Sequence, residues 1–113
     1  MKPIELLRQK WGYSDFRLNQ EQIIESILKG IDCVALLPTG GGKSICYQIP
    51  GLLQDGLTLV VSPLISLMHD QIKEINELNE KAIALTSGFN KSDLDRELDN
   101  CQNGYYKFLF VSP

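Results

Sequence analysis

Cysteine is scarce in this chain: three thiols, Cys33, Cys46 and Cys101, in 113 residues. None forms a C-x-x-C pair, which excludes a zinc site of the usual spacing and agrees with a reducing compartment. Ordinary core packing is the expectation for Cys33, in an apolar run, and for Cys101, on a helix face. No apolar run approaches the ~20 residues that a membrane-spanning helix needs. The opening Met-Lys-Pro-Ile-Glu lacks the apolar core and small-residue cleavage site of a signal peptide. Cytoplasmic residence is therefore expected, with no membrane partner, and the match of Asn90-Lys-Ser92 to a glycosylation acceptor counts as chance. Basic residues are in deficit: eleven Lys and Arg against fourteen Asp and Glu leave a net charge of −3. A domain that grips nucleic acid by bulk charge is ordinarily basic. Any contact with DNA is then expected to run through a few local hydrogen bonds. Repeats, low-complexity segments and linkers are absent as well, and the length suits one domain with a modest core.

What the chain does have is Leu37-Pro-Thr-Gly-Gly-Gly-Lys-Ser44. It reads as a phosphate-binding loop between a buried strand and a helix. The run Ile31-Asp-Cys-Val-Ala-Leu-Leu37 is short and nearly continuous in apolar character, the pattern of a strand covered on both faces. Ser44 to Leu53 has helix-forming composition. Three glycines allow the backbone to curl closely around phosphate. The N–H groups then point inward, and the helix N-terminus adds partial positive charge. Lys43 can reach the β- and γ-phosphates of a nucleotide, and the Ser44 hydroxyl can hold Mg²⁺. The first glycine of the common G-x-x-x-x-G-K-[ST] pattern would fall at Leu37, where Gly40 and Gly41 can supply the flexibility instead.

The rest of the chain alternates helices and strands. Pro3 suits a first helical position, Ile4, Leu7 and Trp11 share a face, and Gly12 suits a helix stop. Asn19 and Gln22 have capping-box spacing ahead of a helix burying Ile23, Ile24, Ile27 and Leu28, which Gly30 ends. Strands are expected at 32–37, 57–61, 82–85 and 106–111. Ser62-Pro63 starts a helix whose Ile65, Met68, Ile72, Ile75 and Leu78 recur at helical spacing. Ser92 is the expected cap of a last helix, with Leu94, Leu98 and Cys101 facing inward and Asp93, Asp95, Glu97 and Asp99 forming a solvated face. Alternation of this kind argues for right-handed βαβ units and a parallel sheet. Ligands of such sheets bind beyond the carboxyl ends of the strands. The phosphate loop, Ser62-Pro63 and Ser112-Pro113 all fall at such ends.

Three stretches carry a family resemblance. Leu36-Leu-Pro-Thr-Gly-Gly-Gly-Lys-Ser-Ile-Cys-Tyr-Gln-Ile-Pro50 closely resembles motif I of the RecQ family of superfamily 2 DNA helicases. Gly12-Tyr-Ser-Asp-Phe-Arg-Leu-Asn-Gln-Glu-Gln-Ile-Ile24 is similar to that family's motif 0. Val60-Val-Ser-Pro-Leu-Ile-Ser-Leu-Met-His-Asp-Gln71 is similar to its motif Ia, and Phe108-Leu-Phe-Val-Ser-Pro113 to the next strand. The resemblance covers essentially the whole chain, in the family's order and spacing.

The resemblance implies an α/β fold, an incomplete P-loop (RecA-like) parallel sheet with flanking helices. Residues 1–30 would form a helical segment carrying motif 0, and 31–113 the first part of the ATP-binding domain. It implies ATP and Mg²⁺ as cofactors, with Thr39, Gly40, Gly41, Gly42, Lys43 and Ser44 on the phosphates and the metal. Tyr13, Arg17 and Gln20 would serve the adenine. Tyr13 can stack on the base, and the Gln20 amide can accept from N6 and donate to N7; Arg17 can stack or reach phosphate. Ser62, Ser66, His69 and Gln71 would meet DNA phosphates near a helix N-terminus. The family often has lysine where His69 stands, and a neutral imidazole makes a weaker phosphate contact. The implied activity is ATP-driven 3′-to-5′ translocation and unwinding, on single strands and duplex junctions, in recombination and repair. No Asp-Glu-x-His or comparable carboxylate pair, the family's motif II, occurs in the 113 residues. The chain thus reads as the N-terminal part of a helicase motor domain. A non-catalytic nucleotide-binding module and another P-loop enzyme, such as a kinase, remain the alternatives.

Overall fold

A computed structural model describes residues 1–37, 42–86 and 88–113. Pro38, Thr39, Gly40, Gly41 and Ser87 lie outside the described residues. The chain divides into two compact units, Met1–Asp55 and Gly56–Pro113.

The first unit is helical. Helix α1, Pro3–Leu6, begins with Pro3 in the first turn, where a missing N–H costs nothing. It runs on as a π-helical turn, Leu7–Trp11, closed by a bond from the Gly12 N–H to the Leu7 carbonyl at 3.1 Å. Gly12 stands at φ +76°, a conformation that suits the expected stop. Helix α2 covers Gln20–Leu28 and α3 covers Lys43–Leu53. Leu6, Leu7, Ile24, Ile45 and Ile49 form the buried core of this unit, flanked by Ile4, Trp11, Phe16 and Leu28.

Two expectations fail here. Asn19 is the N-cap of α2, but its side chain makes no capping bond, so there is no Asn19–Gln22 box. The turn ahead of α2 is closed by Gln20 instead. Residues 31–37 make no strand ladder among the described residues. Val34 and Leu36 are 91% and 88% exposed. The apolar composition that marks a covered strand is present, but nothing described here covers it.

The second unit holds the sheet. Strands β1 (Thr58–Val61), β2 (Ala82–Leu85) and β3 (Phe108–Val111) are all parallel, in the order β1-β3-β2. Three of the four expected strands are thus present, β2 at its expected limits. Phe108 and Phe110 are fully buried in the central strand. Helix α4, Ile65–Glu77, packs on β2 and buries Met68 and Ile75, while Ile65 stays exposed.

Helices α2, α4 and α5 (Lys91–Gln102) end alike. In α2 the Gly30 N–H donates to Ile27 and the Ile31 N–H to Ser26; in α5 the Gly104 N–H donates to Cys101 and the Tyr105 N–H to Asn100. This paired closure needs a left-handed residue, which Asn79 supplies after α4.

The N-cap of α5 is Asn90, not Ser92: its side-chain oxygen accepts from the Asp93 N–H at 2.8 Å. Leu98 is 44% exposed rather than inward. Glu97 is buried rather than on a solvated face. It accepts from the Tyr106 hydroxyl at 2.7 Å and from Asn100 Nδ2 at 3.1 Å. One helical turn carries Glu97 and Cys101 to the same inner side of α5.

Burial, with the Glu97 carboxylate second, pushes the Tyr106 phenol up to about 12. The folded state therefore favours the neutral phenol. This stabilisation is complete below the ordinary tyrosine range near pH 10 and is lost as pH rises through about 12. Tyr106→Phe is expected to cost about 1.5–3 kcal/mol at neutral pH, the scale of one hydrogen bond to a carboxylate. Thermal melts from pH 7 to pH 12 check this. The gap between the two proteins should hold to about pH 9 and then narrow.

Candidate functional site

Motif 0 and the end of the glycine loop meet within the first unit. After Gly12 the chain turns outward, and Tyr13 is 54% exposed, its ring open to a stacking partner. The guanidinium of Arg8 donates through Nε to the Ser14 carbonyl at 3.0 Å and pins this loop. Leu18 then adopts φ +49°, an unusual state for a branched apolar residue, and its side chain is exposed. Leu18 lies within a closed turn: the Gln20 N–H donates to the Arg17 carbonyl at 3.1 Å, and the Arg17 N–H donates to Gln20 Oε1 at 2.9 Å. Two bonds hold a strained residue that the surrounding turn over-determines.

Gln20 is 2% exposed. Its Nε2 donates to the Gly42 carbonyl at 3.1 Å, across 22 positions of sequence. Gly42 is the N-cap of α3 at φ +75°, ψ +40°. A Cβ on it would fall against Gln20 Nε2. Glycine is thus required twice at this position, by backbone conformation and by closeness to the carboxamide. Lys43 opens α3 with its side chain exposed, and Ser44 follows, half-buried. The first N–H groups of α3 have no partner within the helix, as at any helix start, which favours an anion there. One turn on, Cys46 is buried, and burial followed by nearby Cys33 raises its thiol above the ordinary range. It is a packing thiol, not a nucleophile.

Of the expected nucleotide contacts, the structure brings Gln20 to Gly42, beside Lys43 and Ser44, and leaves the Tyr13 and Arg17 side chains exposed nearby in sequence. Thr39, Gly40 and Gly41 lie outside the described residues. The link from Gln20 to Gly42 was not legible beforehand, because no local pattern pairs residues 22 apart. Among the described residues no group of three or more His, Cys, Asp or Glu could hold a metal ion.

The second unit carries the other expected contacts. Val61 and Val111 are register partners, so Ser62 and Ser112 leave neighbouring strands at the same edge. The Ser62 N–H donates to the Val111 carbonyl at 3.0 Å, and its Oγ accepts from the Leu64 N–H at 3.4 Å. Ser66 and His69 are exposed in the first turns of α4, three positions apart on one face. Gln71 stands apart from them. It is half-buried, and its spacing from Met68 and Ile75 puts it beside the buried stripe.

Residues 17–113 match the family described as DEAD/DEAH box helicase. The chain belongs to that family. Among curated proteins it is 48% identical over 110 residues to the probable ATP-dependent DNA helicase RecS of Bacillus subtilis, covering 96% of this chain and 22% of that protein. It is 45% identical over 109 residues to the ATP-dependent DNA helicase RecQ of Synechocystis, covering 96% and 23%. The chain thus spans about a fifth of the length of these relatives. A crystal structure of a hypothetical ATP-dependent RNA helicase from Sulfolobus tokodaii superposes with a TM-score of 0.73 at 24% identity, over 98% of this chain and 33% of that one. This likeness concerns the fold alone, and it agrees with the parallel sheet and flanking helices expected of a helicase domain. No helix among the described residues is long and apolar enough to cross a membrane.

Proposed function

We propose that this chain is the ATP-binding part of a RecQ-type DNA helicase motor, one that couples ATP hydrolysis to 3′-to-5′ translocation and unwinding of DNA in recombination and repair. Residues 1–30 are its base-recognising segment and 31–113 the first part of its motor domain. The observation that carries the reading is the hydrogen bond from Gln20 to Gly42. It ties the segment resembling motif 0 to the residue before Lys43, so base and phosphate contacts would belong to one pocket.

In this reading Tyr13 stacks on adenine, Gln20 reads its N6 and N7 edge, and Arg17 stacks or reaches phosphate. The residues Thr39 to Gly42 cradle the phosphates, and Lys43 neutralises the β- and γ-phosphates. Ser44 fits a magnesium ion as a single hydroxyl ligand. That ion takes most of its other oxygens from phosphates and water, and when bound it neutralises phosphate charge. Ser62, Ser66 and His69 contact the phosphates of a single DNA strand or a duplex junction through short polar groups. Gln71 serves the same surface from its flank.

Titration calorimetry with ATP and GTP tests the nucleotide half. ATP should bind at least tenfold more tightly, since guanine offers O6 where adenine offers N6–H₂ and such mismatches cost ~1–3 kcal/mol. Gln20→Ala should erase the preference. Equal affinities in the unaltered chain would refute adenine recognition. For the DNA half, a chain of the relatives' length should show ATPase activity stimulated by single-stranded DNA. An ATPase indifferent to DNA would favour a different class of P-loop enzyme.

A further inference from the structure

Leu18 stands at φ +49°, a left-handed state that branched apolar side chains rarely enter, and its side chain is 62% exposed. The backbone state costs stability, and the side chain gains no burial in return. We propose that Leu18 is a nucleotide contact: the turn presents its side chain to a face of the purine base, so that binding covers its apolar surface. The inference deepens the nucleotide reading above and rests on it.

Among the described residues one other non-glycine position has positive φ, Asn79, and asparagine tolerates that state. Asparagine is also at hand beside Leu18. Asn19 follows it directly, yet stands at φ −95°. The residue type that suits the left-handed state is thus one place away from the position that adopts it. The turn closes across Leu18 through two bonds, from the Gln20 N–H to the Arg17 carbonyl at 3.1 Å and from the Arg17 N–H to Gln20 Oε1 at 2.9 Å. Neither uses the leucine side chain, so its apolar surface is not what shapes the turn. Strain that the surroundings over-determine in this way clusters at ligand sites. The place fits a base contact. Leu18 lies between Arg17 and Gln20, which would serve the adenine, and Gln20 is bonded to Gly42 beside Lys43. A ring stacked by Tyr13 has one face covered and the other open to water. Leu18 offers that second face an apolar surface, and covering it removes both from water. Adenine and guanine both present a flat face, so this contact adds affinity without choosing between them.

Leu18→Gly removes the side chain and suits the backbone. Titration calorimetry of the 113-residue chain and this variant should show the dissociation constants of ATP and GTP rising together by about three- to tenfold, the yield of covering roughly half a leucine side chain. Their ratio should not move. Inorganic tripolyphosphate, which has no base, should bind both proteins alike. Thermal melts in dilute solution should show the variant melting higher by about 3–6 °C, because relief of the strain outweighs the greater freedom of glycine in the unfolded chain. Leu18→Met keeps both the apolar surface and the strain, and should match the unaltered chain in every readout.

Unchanged nucleotide affinity in Leu18→Gly would overturn the proposal. A lower melting temperature would overturn it too, since Leu18 would then be a packing residue. So would weaker tripolyphosphate binding or a changed ATP-to-GTP ratio in the variant, because Leu18 would then act through the turn on other contacts. Equal ATP and GTP affinities in the unaltered chain, both weakened by Leu18→Gly, would uphold the Leu18 contact and refute only the adenine recognition assigned to Gln20. Binding of neither nucleotide by the unaltered chain would overturn both.

Discussion

ATP turnover by the 113-residue chain alone is expected at or near background. In-line attack on a γ-phosphate needs a positioned water and charge neutralisation on both sides of the transferring group. In the proposed reading Lys43 and Ser44 supply the phosphate side. It has no two adjacent acidic residues anywhere, and the described residues hold no cluster that could bind a metal. Binding without water activation lowers the energy of the bound nucleotide and of the transition state alike, and so leaves the rate untouched. A coupled phosphate-release assay checks this against a buffer blank. A robust rate, lost on Lys43→Ala, would show that these residues suffice. In a chain of the relatives' length with measurable turnover, the same Lys43→Ala change should lower kcat by about 10²–10³-fold, the usual cost of removing one preorganised contact to developing charge.

Much of this fold could be read from local chemistry. Pro3, Gly12, Gly30 and the Met68 and Ile75 positions of the α4 stripe act within a turn or two of themselves, and each does in the structure what its residue type dictates. The β2 limits were legible for the same reason, since a four-residue apolar strand between polar stretches has few alternatives. What failed depended on distant partners or on competition between near-equal residues. Asn90 and Ser92 are both good caps, and the choice went to the residue whose side chain reached the Asp93 N–H. Glu97 looked solvated because its neighbours Asp93, Asp95 and Asp99 belong to an acidic helix. Tyr106, nine positions on, makes it a buried acceptor. At the candidate site the residue types were legible and the arrangement was not. Gln20 stands out in the sequence as an expected adenine contact, but no local pattern pairs it with Gly42, 22 positions away.

The second large effect concerns the segment 31–37. Ile31, Val34 and Leu36 are exposed, and the segment makes no ladder among the described residues. An exposed apolar stretch of strand-like composition is a template for pairing with another chain. The edge strand β1 adds to this, with Leu59 and Val61 each 59% exposed. The chain is therefore expected to self-associate. Burying Val34 and Leu36 at a contact would contribute roughly 1.5–3 kcal/mol each. Val34→Lys with Leu36→Lys should accordingly weaken association by about 10²-fold or more. Neither side chain belongs to the Leu6, Leu7, Ile24, Ile45 and Ile49 core, so the double change should leave that unit folded. Sedimentation velocity over a concentration series reads the association, and circular dichroism confirms that the helices persist. A chain of the relatives' length should stay monomeric at concentrations where this one does not, because a segment of this composition is suited to the interior of a larger parallel sheet. A 113-residue chain that sediments as a monomer at every concentration, with slow hydrogen exchange across 31–37, would show that the segment finds cover within its own fold and that its exposure is not what governs the behaviour in solution.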